Sequence, residues 1–180
     1  MPVGLKLFNT ITRTKQDFVP LQEGRVGMYV CGVTVYDRCH IGHARAYVAF
    51  DTIQRYLRYS GYNVTYVRNF TDVDDKIINR ANERGVSVND LTDTYIDEFR
   101  TDMEMLGIAP ADIEPRVTGH MPEIIAMVQT IIDNGHAYVS GGDVYYDIQS
   151  FPGYLGLSGR KLDDMQAGAS ERVDASDVKR

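Results

Sequence analysis

Apolar and polar positions divide the chain into a succession of elements. Arg25-Val-Gly-Met-Tyr-Val-Cys31 is a short apolar run that stops at Gly32, the pattern of a strand buried in a parallel sheet. Ala44, Tyr47, Val48, Phe50, Ile53, Tyr56 and Leu57 then recur at mostly helical spacing, and Gly61 stands where a glycine just past the last turn would end a helix. Asn63-Val-Thr-Tyr-Val-Arg-Asn69 reads as a second strand, rich in β-branched and aromatic residues. Strand, helix and strand in immediate succession predict a βαβ unit with a right-handed crossover. The pattern then becomes helical, from Asp74 to Arg84 before Gly85 and from Asn89 to Leu106 before Gly107. In the second of these helices Leu91, Tyr95, Phe99, Met103 and Leu106 step by four or three and make one apolar face. A further helix is expected from Thr118 to Asn134, with Met121, Ile124, Ile125, Val128, Ile131 and Ile132 on one side. Both apolar faces are expected to be core. Ala137-Tyr-Val-Ser and Asp143-Val-Tyr-Tyr flank Gly141-Gly142, which signals a hairpin.

Composition narrows the class. With 180 residues, 43% hydrophobic and 24% charged, the chain is globular rather than disordered and about one domain long. No apolar run approaches the ~20 residues of a membrane span, and the first residues lack the pattern of a secretory signal. Two cysteines, Cys31 and Cys39, make no disulfide framework, so a cytoplasmic protein with no membrane partner is expected. The net charge of −6 conceals an asymmetry: residues 1–69 hold nine Lys and Arg against four Asp and Glu, and residues 70–180 hold ten against twenty-one. Simple electrostatic coating of nucleic acid is thereby disfavoured, while a basic first third can receive phosphates. From Gly159 to Arg180 five basic and five acidic residues with no aromatics predict a flexible tail.

The chemistry concentrates in Cys31-Gly-Val-Thr-Val-Tyr-Asp-Arg-Cys-His-Ile-Gly-His43. His40 and His43 are three apart at the expected start of a helix, so they share a face and lean toward its N-terminus. Gly42 between them has no side chain. Free N–H groups and a partial positive charge at the helix end suit phosphates, imidazoles can donate to them, and the glycine lets a base or ribose approach. The pair follows a buried strand and opens a crossover helix, where doubly wound folds take their ligands. Taken without that context, two histidines at a helix start would more often be surface or satisfied structural residues.

His40-Ile41-Gly42-His43 resembles the HIGH signature of the class I aminoacyl-tRNA synthetases. Met28-Tyr-Val-Cys31-Gly-Val-Thr-Val-Tyr-Asp37 resembles the opening strand and loop of the cysteinyl-tRNA synthetases in particular. The likeness continues through Tyr66-Val-Arg-Asn69-Phe-Thr71-Asp72-Val-Asp74-Asp75-Lys76 and into Leu162-Asp-Asp-Met-Gln-Ala-Gly-Ala169, almost the whole chain. It implies an α/β chain carrying the first half of a Rossmann-like parallel nucleotide-binding fold (1–110), a connective insertion of helix and β-hairpin (111–158) and a flexible tail (159–180). The implied activity is ATP-dependent conversion of cysteine to cysteinyl adenylate and its transfer to tRNA(Cys). The substrates and partners are then cysteine, ATP with Mg²⁺, and tRNA(Cys). His40 and His43 would contact the ATP phosphates, with Ile41 and Gly42 against the nucleotide. Gly32, Thr34, Asn69 and Thr71 would line the amino-acid and adenylate pocket. Cys31 would be one ligand of a Zn²⁺ that selects the substrate thiolate.

Blander readings stand beside these. Cys31 could be a small buried hydrophobe. Thr71 or Asp72 could cap the next helix, and Asp72, Asp74 and Asp75 could compensate its dipole. Cys39 reads as packing, and His120 and His136 as surface. The family's further zinc ligands, its second nucleotide-fold half and its lysine-rich phosphate loop find no match here, so the 180 residues alone are expected to be inactive. A small nucleotidylyltransferase, or a non-catalytic binding remnant, are the alternatives.

Overall fold

The computed structural model describes residues 4–160. The expected tail beyond residue 160 and the matched block Leu162–Ala169 lie outside them. Two compact units emerge, one formed by Val19–Ala126 and the other by Gly4–Phe18 with residues 127–160.

The second unit opens with a hairpin that the apolar pattern did not signal, β1 (Lys6–Asn9) against antiparallel β2 (Thr14–Asp17). Both strands are short and largely polar, and a lysine–aspartate pair, Lys6 with Asp17, closes one end at 3.6 Å.

In the first unit β3 (Arg25–Val30) pairs in parallel with β4 (Asn63–Arg68), in register from Arg25↔Asn63 to Val30↔Arg68. Helix α1 (Ile41–Tyr59) joins them, as the pattern predicts. β3 is buried on one face rather than two: Val26, Met28 and Val30 turn inward while Tyr29 stays 65% exposed. The other edge of β4 is covered by residues 112–117. Arg68 N–H donates to the Ile113 carbonyl at 3.0 Å, Phe70 N–H to that of Pro115 at 2.8 Å, and parallel bridges join Val67 to Ile113 and Phe70 to Arg116. Asp112-Ile-Glu-Pro-Arg-Val117 is too polar and proline-broken to read as a strand.

Helices α2 (Asp75–Arg84) and α3 (Val88–Met105) pack on this unit. Asp74 caps α2 by accepting from Lys76 N–H at 3.0 Å, and Gly85 ends it at φ +66°. Asp72 is not the cap. The α3 stripe is core as expected: Leu91, Tyr95, Phe99 and Met103 are buried, and Phe99 meets Tyr47 and Phe70 edge-on at 5.4 and 5.5 Å between ring centroids. Leu106, at 50% exposure, falls outside it. Arg68 is sealed in at 2% exposure, its guanidinium over the Phe99 and Tyr47 rings at 4.8 and 5.1 Å. Its charge is matched by Glu114 at 2.6 Å, which also takes Arg100 at 3.0 Å. An unmatched guanidinium there would carry a heavy desolvation cost.

Helix α4 (Met121–Asp133), entered through a single 3₁₀ turn at Thr118–His120, runs across the division into the second unit. Its apolar stripe is not core among the described residues: no residue of α4 is buried, Ile125 is 62% exposed, and Val128, Ile131 and Ile132 are only half-buried. The expected hairpin follows, β5 (Ala137–Ser140) against antiparallel β6 (Asp143–Tyr146), with Gly141 and Gly142 both at positive φ in the turn. No helix of the described residues is long and apolar enough to cross a membrane.

Candidate active site at the ends of the parallel strands

Where β3 and β4 end, their continuations approach so closely that only a glycine fits. A Cβ on Gly32 would lie 1.5 Å from the Asn69 carbonyl oxygen. The Asn69 side chain fastens the contact: its Oδ1 accepts from Gly32 N–H and from the Tyr29 hydroxyl, each at 2.9 Å, and its Nδ2 donates to Thr71 Oγ1 at 3.3 Å. Two residues on, Thr34 and Thr71 form a parallel bridge, with Thr71 N–H donating to Val33 O at 3.0 Å and Val35 N–H to Thr71 O at 3.2 Å. Gly32, Thr34, Asn69 and Thr71, expected to share a pocket, are thus neighbours in one hydrogen-bonded patch.

The start of α1 is built from the two histidines. His40 is the N-cap in an extended conformation, and its Nδ1 accepts from Gly42 N–H at 3.0 Å. His43 Nδ1 accepts in return from His40 N–H at 3.2 Å. The two imidazole centroids lie 4.0 Å apart, with the ring planes tilted 33° to each other. Because both Nδ1 atoms are used as acceptors, each neutral ring carries its proton on Nε2 and presents an N–H donor. Burial, with a smaller contribution from His40, holds His43 below the usual imidazole range, which favours this neutral form. Gly42 is again the residue that fits, since a Cβ there would come within 2.7 Å of the His40 ring. Ile41 is 85% exposed. One turn further, the Tyr47 hydroxyl donates a long 3.4 Å bond to the Cys31 carbonyl, joining α1 to the end of β3.

The Cys31 thiol is free and exposed at that strand end, so it is not a buried hydrophobe. Among the described residues no three His, Cys, Asp or Glu side chains gather where they could hold a metal. One thiol does not make a four-coordinate zinc site, and no step of the chemistry is assigned to zinc. Cys39 is half-buried against the core, where burial first and Asp102 second push its thiol up to about 11. It lines, with His40, Ile41, Ala44, Met103 and Leu106, a largely apolar cavity of about 260 Å³ behind the histidine pair. His120 and His136 are exposed and engaged locally, with Arg116 O at 2.9 Å and Ser150 Oγ at 2.8 Å.

Residues 17–180 match the family model of the tRNA synthetases class I (C) catalytic domain. The chain belongs to that family. Among its relatives are the cysteine–tRNA ligases of Pelobacter propionicus, 60% identical, and Trichlorobacter lovleyi, 58% identical, each over 178 residues. Both alignments take in 99% of this chain and 36% of the relative, so the chain spans about a third of the length of these curated relatives. The Mycobacterium tuberculosis methionyl-tRNA synthetase in complex with methionyl-adenylate superposes with a TM-score of 0.57 at 26% identity, over 62% of this chain and 23% of that one.

In this class I synthetase domain the structure adds three residues that motif reading missed. Tyr29 and Tyr47 tie down the C-terminal end of β3 through their hydroxyls, to Asn69 and to the Cys31 carbonyl. Asp72, buried at 3% exposure, accepts from both the N–H and the hydroxyl of Thr118, at 3.0 and 2.5 Å. Alternation along β3 points Tyr29 away from the core; no local pattern marks a carboxylate for a partner 46 residues on.

Proposed function

We propose that the chain forms one side of the adenylation site of an ATP-dependent, cytoplasmic cysteine–tRNA ligase, on a Rossmann-like nucleotide-binding fold. Its 1–110 segment would be the first half of that fold and 111–158 the connective insertion. The whole enzyme would take cysteine, ATP with Mg²⁺, and tRNA(Cys). The observation that carries the reading is the reciprocal histidine cap of α1, with two Nε2–H donors beside a helix N-terminus and a glycine between them. In the reaction a cysteine carboxylate oxygen forms a bond to the α-phosphorus while the bond from that phosphorus to the bridging oxygen breaks, and pyrophosphate leaves. His40 and His43 would donate to phosphate oxygens and stabilise the charge that develops there. Gly42 and Ile41 would border the nucleotide, and Gly32, Thr34, Asn69 and Thr71 the aminoacyl part. Neither histidine forms a covalent intermediate; the catalysis is positioning and electrostatics.

Calorimetric titration with α,β-methylene-ATP tests this. The 180-residue chain is expected to bind, and the double variant His40→Ala/His43→Ala, confirmed folded by circular dichroism, to bind at least about tenfold more weakly. Absence of binding by the natural chain, or equal binding by the variant, overturns the reading. Cysteine-dependent ATP–pyrophosphate exchange by these residues alone is expected at background, and robust exchange would show that the remaining length of the relatives is not needed for adenylation.

A further inference from the structure

The extended segment after β4 that carries Asn69 and Thr71 is held from two sides. Thr71 is bonded to residues 33–35 through its N–H and its carbonyl. Phe70, one residue earlier, is bonded to the opposite neighbour, donating to Pro115 O at 2.8 Å and accepting from Val117 N–H at 3.3 Å. Beyond Phe70 this second ladder does not continue through backbone groups; the Asp72 side chain takes over and grips Thr118 twice. A carboxylate at 3% exposure is a costly way to fill space, since an apolar side chain of similar size would be buried without desolvating a charge. What the carboxylate adds is geometry. It specifies one register of residues 70–72 against 115–118, and with it the position of Thr71 between the two neighbours. Thr118 is exposed and opens the 3₁₀ turn that leads into α4, and the same segment is tied to α3 by Arg116 and Asp93 at 2.6 Å.

We propose that Asp72 and Thr118 are a pair of positioning residues that set the Thr71 end of the aminoacyl pocket, coupling its geometry to the start of α4. The proposal rests on the reading of Thr71 as a pocket residue. Neither member touches the reacting atoms; the pair acts through the backbone of Thr71.

Thr118→Val removes the hydroxyl at an exposed position and keeps the shape of the side chain, and Thr118→Ser keeps the hydroxyl. Amide hydrogen exchange of the 180-residue chain, resolved by NMR, is expected to show Thr71 and Val35 exchanging about tenfold faster in Thr118→Val. In the same sample Ile96 and Phe99 should be unchanged, and Thr118→Ser should restore the natural rates at Thr71 and Val35. Affinity for cysteinyl-sulfamoyl adenosine, an uncleavable adenylate mimic, is expected to fall about five- to tenfold in Thr118→Val and to recover in Thr118→Ser. Unchanged exchange at Thr71 and Val35, or a uniform rise at all four amides, overturns the proposal. Local loosening with undiminished affinity for the mimic overturns it too, because the pair would then be structural only. If the natural chain does not bind the mimic, the functional reading falls, and the exchange pattern still decides whether Asp72 and Thr118 set the position of Thr71.

Discussion

Helices α3 and α4 carry nearly the same sequence pattern and meet opposite fates. Leu91, Tyr95, Phe99 and Met103 of α3 are buried at 5% exposure or less, whereas on α4 Ile124 and Ile125 are 39% and 62% exposed and no residue is buried. The same division runs through the described residues as a whole: every fully buried side chain, apolar or polar, lies in Val19–Ala126. Periodicity reports which face of a helix would be covered. Whether a cover exists is a fact about the rest of the fold. α3 has Tyr47, Phe70 and the guanidinium of Arg68 against its stripe, while the stripe of α4 ranges from exposed at Ile125 to half-buried at Val128, Ile131 and Ile132.

The comparison makes quantitative demands. The sharpest is a pair of truncations followed by urea denaturation: Phe99→Ala should cost about 3–5 kcal/mol, since it opens a cavity beneath Tyr47 and Arg68. Ile125→Ala on α4 should cost no more than about 0.5 kcal/mol. A cost above about 2 kcal/mol at Ile125 would mean that its face is covered in solution.

Next in size is Asp51 of α1, which is 8% exposed and accepts from Gln54, Arg55 and Ala109 N–H. Burial pushes its carboxyl up, but those hydrogen bonds together outweigh burial and hold it below the usual range. A depressed carboxyl contributes stability that is complete above the unfolded value near 3.8 and is lost as the pH falls through the folded value. Asp51→Asn should therefore cost about 1–3 kcal/mol at neutral pH and flatten the acid limb of the stability profile. An unaltered acid limb would remove Asp51 from the network.

Native-state exchange should separate the two helices without mutation. Amides of α4 are expected to exchange on the order of a hundredfold faster than those of α3, because less packing must be lost to expose them.

The smallest effect lies at the start of α1. Burial and His40 lower the His43 titration, so its contribution is present above the ordinary imidazole value of 6.5 and fades as the pH drops toward the lower folded value. His43→Gln can still accept from His40 N–H and does not titrate, so it should make the thermal midpoint less sensitive to pH just below 6.5. Equal sensitivity in both proteins would detach that slope from His43.

Much of the first unit was legible in the sequence. Glycine stops and apolar steps marked α1, α2 and α3 closely, and in the second unit the β5–β6 hairpin, because their caps and turns are local chemistry. Residues 112–117 escaped notice because their membership of the sheet comes from β4 on the far side of α2 and α3, and a proline with three charged residues hides the strand. The β1–β2 hairpin escaped because its strands are mostly polar. At the site, the motif brought out His40, Gly42 and His43, whose arrangement is set within four residues. Asp72 read as part of an acidic run before a helix, and only contact with Thr118 distinguishes it from Asp74, the true cap. Short-range geometry is written in adjacent letters; the clamp around Thr71 is written across 46 positions.

The histidine cap also divides labour along one helix. α2 and α3 begin on Asp74 and Ser87, with Asp75 and Asp90 in their first turns, an arrangement that favours the helix by cancelling the field at its end. α1 has no acidic residue in its first turn and ties its own end with neutral rings. Exchanging His40 for aspartate would be a reasonable way to make α1 more stable, and it would set a negative charge at a helix end that has no acidic residue in its first turn. A search for stabilising substitutions would choose that change early, and on the function proposed above the firmer protein would repel the phosphates it is meant to receive.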